Sequence, residues 1–274
     1  MPKLIEDARH RASAPSHDGE GASPRPTGPS RARCRARTKT LLTILAALVL
    51  APLTVVVGMG IPGNGYYLSG TLIVLYAIVP FFVAFEGRRP TAREIAVVAV
   101  LTALAVAARA AFVWVPHFKP MAAIIMIAGI AAGPQTGFLV GSVAALASNF
   151  IFGQGPWTPW QMLAFGVAGL VAGLLADARV FPRANLSWPR RIALAVTGFV
   201  LIVGLAGPIL DTSTFFYLST APTPELAATV YLAGLPVNAI HGVATALTLL
   251  VVANPLLDQL ARVRVKYGLL NQSR

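Results

Sequence analysis

The sequence predicts an all-α polytopic membrane protein, a six-helix core preceded by two additional transmembrane helices. Three observations carry this. Hydrophobic residues make up 56% of the 274 residues and charged ones only 12%, against roughly 25% charge in a soluble domain. The apolar runs are continuous, without the period-2 alternation of barrel strands. The basic residues cluster between those runs, as the positive-inside rule requires.

The net charge of +12 would suit nucleic acid if it lay on one soluble face. Instead nine basic residues precede position 40 and most others sit in short inter-span clusters. The bilayer explains this pattern without a nucleic-acid partner. Cys34 is the single cysteine, which excludes an intramolecular disulfide and a multi-cysteine metal site. No metal or cofactor set is expected.

Residues 1–39 are rich in Ser, Pro, Gly and Arg and read as a disordered basic cytoplasmic tail. Residues 40–93 hold the two additional helices. The first, 41–59, resembles a signal-peptide core, but it lacks a small-x-small cleavage site and is long enough to span. The second runs over 68–85. The core, 94–255, contains spans at 94–115, 121–133 (short), 137–152, 161–177, 192–210 and 226–252. Residues 256–274 form a cytoplasmic tail. Threaded from a cytoplasmic N-terminus, these eight crossings place all of the 22 Lys and Arg inside except Arg109 and Lys119. Both termini are then cytoplasmic. Asp211 and Glu225 fall outside, in a loop with Phe216 and Tyr217, and no carboxylate is expected deep in a span.

Polar groups at membrane depth are costly and mark a substrate path. Arg109 lies about 22 Å up its helix from Glu94 at 1.5 Å per residue, in the outer third of the bilayer core. It either snorkels to the interface or lines a solvated pocket and pairs with a ligand's anionic group. Lys119 follows beside a proline. Asn149 and Gln161 flank the loop GQGPWTPW, whose Trp157 and Trp160 either belong to the interfacial belt or stack on a planar ring. Asn238 and His241 share one helix face, serving either a neighbouring helix or a substrate. Ala99, Ala103, Ala107 and Ala111 repeat every fourth residue, a small-residue face that lets another helix approach. In an alanine-rich helix the same spacing also arises by chance.

Neither a GxSG serine, an HExxH helix nor a P-loop occurs, so no catalytic residues are assigned. Two rivals to a binding role are an intramembrane enzyme using His241 with Ser142 or Ser148, and a structural membrane protein without a ligand.

One feature set is more specific. An AxxxA helix with an arginine near its outer end leads into a short helix, then GIAAGPQTGFLVGSVAALASNFIFG and MLAFGVAGLVAGLLAD. Over about residues 94–255 this resembles the substrate-specific S component of energy-coupling factor (ECF) vitamin transporters. The resemblance implies a membrane subunit that captures a vitamin from outside. It also implies docking through Ala99, Ala103 and Ala107 on a transmembrane coupling protein driven by two cytoplasmic ATPases. The pocket would open outward behind a loop around 116–120. Cobalamin, riboflavin and thiamine-like ligands all fit such a pocket. The two additional N-terminal helices depart from the family pattern.

Overall fold

The computed structural model describes residues 53–54, 65–87, 90–218 and 223–267. The basic tail and the 41–59 span, apart from Leu53 and Thr54, lie outside the described residues. What is described is helical: α1 (Gly65–Gly87), α2 (Ala92–Ala111), α3 (Met121–Ala132), α4 (Pro134–Phe152), α5 (Thr158–Asp177), α6 (Trp188–Leu201), α7 (Gly207–Leu218) and α8 (Pro224–Tyr267). A π-helical turn, Ile202–Ala206, joins α6 to α7, so Trp188–Leu218 is one apolar rod. Six described helical segments are long and apolar enough to cross a membrane, and α3 is a shorter apolar helix. The protein is an all-α polytopic membrane protein.

Helix ends follow local chemistry. α2 starts at Ala92 because Thr91 and Glu94 form a capping box: Glu94 N donates to Thr91 Oγ1 (3.3 Å), and Thr91 N donates to Glu94 Oε2 (2.9 Å). Reciprocal caps satisfy two otherwise orphaned N–H groups. Gly133 turns the chain between α3 and α4 at φ +98°, a region other residues avoid, and Pro134 opens α4. The turn folds the chain back on itself. A Cβ on Gly137 would lie 2.6 Å from Gly129 Cα and 2.4 Å from Gly169 O. These helices meet backbone to backbone, which only glycine permits.

α3 sits at the centre, with every residue from Met121 to Ala131 buried. At 1.5 Å per residue it is about 18 Å long, against about 30 Å for α2. Its far end, at Ile130, accepts a hydrogen bond from Arg183 Nε (3.1 Å) in the loop 178–187. That loop is held to α8 by Asn254, which accepts from Leu186 N and donates to Leu186 O, both at 2.9 Å. Because α3 is short, the segment 112–120 must descend into the bundle to reach its first residue.

Three expectations are corrected. Asp211 is not in an outer loop: the helix ends at Leu218, and Asp211 lies within α7. A carboxylate therefore does lie inside a membrane-length helix. The π turn precedes Pro208, which has no N–H to continue α-helical bonding, and lets the rod continue past that proline. The third span ends at Ala111, four residues before 115. α8 continues to Tyr267.

α1 packs on α4, α5 and α7. Phe81 stacks on Phe138 (centroids 3.8 Å apart) and Trp160 Nε1 lies 3.4 Å from Thr71 Oγ1.

Candidate functional site

The site forms where α2 and α4 end and α5 begins, beside the point where the exposed segment 112–117 gives way to the inward-turning residues 118–120. Arg109 is in the last turn of α2 and only 8% exposed. Its Nη1 donates to Ser148 Oγ and to Asn149 Oδ1 (3.0 Å). The guanidinium carbon stands 4.6 Å from the centroid of the Phe152 ring, a cation–π distance. Asn149 Nδ2 donates onward to Thr158 Oγ1 (2.9 Å) and Gln161 Oε1 (2.8 Å). This sets the amide orientation, since the guanidinium can only donate. Thr158 Oγ1 donates to Gln154 Oε1 (3.0 Å). Three side chains of α4 thus hold one buried cation, with Thr158 and Gln161 of α5 behind Asn149, and the Arg109 Nε retains no partner.

His241 approaches from α8. Its ring bonds to the backbone of Lys119 and meets Phe165 edge-on, centroids 5.7 Å apart. His241 Nε2 is buried and unpartnered. Lys119 is half-buried at the foot of the descending segment. It lies within coulombic range of Arg109.

The structure thus brings Arg109, Asn149 and Gln161 into one bonded network, with Lys119 and His241 beside it. The other expected contacts go elsewhere. Asn238 donates through Nδ2 to Asp211 Oδ2 (2.8 Å) and packs on Gly207, whose hypothetical Cβ would meet it at 2.5 Å. Trp160 is buried between Thr71 of α1 and Phe216 of α7. Trp157 is 43% exposed and folds over Gly155. Thr158, Phe152 and Phe165 were not singled out from sequence. Thr158 alone carried a signal, a hydroxyl in the loop that joins Asn149 to Gln161.

The enzyme rival requires a serine or carboxylate within hydrogen-bond reach of His241, with Ser142 and Ser148 as the serine candidates. Instead Ser142 Oγ donates to Met162 O (3.0 Å) and Ser148 Oγ to Ala145 O (3.0 Å).

Ala99, Ala103, Ala107 and Ala111 are all exposed on α2, while Leu101, Thr102, Ala105 and Arg109 are buried on its other face. The small-residue stripe therefore faces away from the fold.

Membrane-length helices around a buried, incompletely bonded polar cluster define a multi-pass membrane protein with a candidate site inside the bundle. The family scan agrees with that class: the model for the ECF-type riboflavin transporter S component matches residues 90–262. The chain belongs to this family, a family of transporter subunits and not of enzymes. A UPF0397 protein of Vibrio atlanticus (strain LGP32) is 30% identical over 104 residues. That match covers 37% of this chain and 53% of the relative, so the chain spans about half the length of the curated relative it matches. No solved structure matches. α1 (Gly65–Gly87) precedes the family match.

Proposed function

We propose that the protein captures a flavin-class vitamin at the outer face of the cell membrane and passes it inward as the S component of an ECF transporter. The observation that carries this reading is the buried Arg109–Asn149–Gln161 network with Arg109 Nε and His241 Nε2 left open. Buried polar atoms in proteins are almost always bonded, so two open nitrogens at one site indicate where a ligand's polar atoms go. The family description supports the choice of a flavin. Phe152 and Phe165 supply aromatic surface beside the two groups.

Energy comes from partners. The exposed alanine face of α2 is the surface through which a transmembrane coupling protein is engaged, with two cytoplasmic ATPases behind it. The charge distribution favours cytoplasmic termini. The test is titration of the purified full-length protein in nanodiscs with riboflavin, read by quenching of flavin fluorescence, alongside native mass spectrometry for a co-purifying molecule. Saturable quenching supports the reading. Absence of any flavin binding, with a different vitamin found bound, overturns it.

A further inference from the structure

The site carries more positive charge than the protein balances. Arg109 stays protonated in any protein environment, and its bonded partners Ser148 and Asn149 are neutral. Lys119 is within coulombic range of Arg109, and His117, Lys119 and Arg109 all act on His241. Among the described residues, neither Arg109 nor Lys119 has a carboxylate partner. Asp177 pairs with Arg183, and Asp211 is bonded to Asn238. A buried charge without a counter-charge is expensive. A carbonyl oxygen would satisfy the open Arg109 N–H but leave the charge uncompensated, whereas an anion does both.

We infer that the ligand carries an anionic group, phosphate or carboxylate, that seats on Arg109 Nε, with Lys119 as the second cation acting on it. Resting on the flavin reading above, this assigns the site to an acidic flavin in preference to neutral riboflavin. α2 supplies Arg109 from its last turn, and Lys119 stands where the chain turns inward to Met121. The Lys119 ammonium is held below its ordinary pKa, first by burial and then by Arg109, and an adjacent anion relieves both penalties.

The experiment titrates the full-length protein in nanodiscs with riboflavin, riboflavin 5′-phosphate and a 10-carboxyalkyl flavin. At least one acidic flavin binds about tenfold or more tightly than riboflavin, and that one names the anion. Its advantage shrinks as salt rises, while riboflavin affinity stays level. Arg109→Gln brings the ratio near unity and Arg109→Lys retains part of it. Riboflavin binding as tightly as both acidic flavins overturns the inference and leaves the flavin reading standing. Binding of no flavin overturns the flavin reading, and this inference with it. The wild-type ratio and its salt dependence decide the matter even if the Arg109 variants fail to fold.

Discussion

Gly137 and Gly169 oppose each other so closely that a Cβ on either would lie 2.3–2.4 Å from the other's carbonyl oxygen. The contact joins the hairpin of α3 and α4 to α5, and Gly129 and Gly173 extend it. The obstructing atoms are backbone, so no side chain can swing aside.

Gly137→Ala or Gly169→Ala is therefore expected to cost about 1–3 kcal/mol or more by overpacking. It should lower the thermal midpoint of the purified protein by several degrees. Gly204 is the control. Nothing lies within 4 Å of its Cβ position, and an alanine in an open helical position stabilises by about 0.4–1 kcal/mol. Equal midpoints for Gly137→Ala and Gly204→Ala would refute the close-packed hairpin.

How far the sequence reveals this is instructive. Gly133-Pro134 announces a break by local chemistry alone, and long apolar runs announce the spans. The partner of Gly137 is invisible, because its neighbour lies a whole helix further on and no local period encodes the contact. Asp211 is misread for a different reason: the apolar run stops at Leu210, and the polar stretch DTST that follows reads as a loop although the helix continues through it to Leu218. Arg109, Asn149 and Gln161 stand out as polar groups in apolar runs, and such groups must find one another. Trp160 stands out equally, yet the indole turns to α1. Aromatic character says that a residue is buried, not against which helix.

Asn149 tests the network. Asn149→Leu removes the acceptor for Arg109 and both donors to Thr158 and Gln161. Hydrogen bonds to charged groups contribute about 1.5–3 kcal/mol, so ligand affinity should fall about ten- to hundredfold. Trp157→Leu, at an exposed position, should change affinity by less than about twofold if the belt reading is right. Fluorescence titration measures both. Comparable losses for the two would move the site toward the loop.

Docking is tested on the exposed face of α2. Ala103→Trp should hold a partner helix away, because close approach needs small side chains. Uptake by cells carrying the coupling partners should fall about tenfold or more, while the isolated protein binds ligand with unchanged affinity. Unchanged uptake would mean that the alanines face only lipid.

Orientation is tested by labelling. In a Cys34→Ser background, Thr223→Cys should react with an impermeant thiol reagent on intact cells. Ser187→Cys should react only after permeabilisation. Both positions are exposed, so access depends on side alone. The opposite pattern would reverse the assignment of cytoplasmic termini.

The pH dependence isolates Lys119. Burial and then Arg109 lower its pKa from the ordinary value, and a bound anion raises it again. Because the bound-state pKa exceeds the free-state one, the affinity gained from the ammonium is complete below the free pKa. It is lost as pH rises through the bound pKa. The charged group acting on Lys119 is Arg109 from α2, and the titratable group beside it is His241 from α8. Arg109 keeps its charge throughout, and work above about pH 7.5 holds a phosphate ligand (second pKa about 6) as the dianion. As pH rises from about 7.5 toward the ordinary lysine value of about 10.4, affinity for riboflavin 5′-phosphate should therefore decline toward the value measured for Lys119→Gln. Riboflavin titrated in parallel cancels any ionisation of the shared ring. The variant itself should show a flat difference between the two ligands. A decline that persists in Lys119→Gln would assign the titration to another group and remove Lys119 from the anion site.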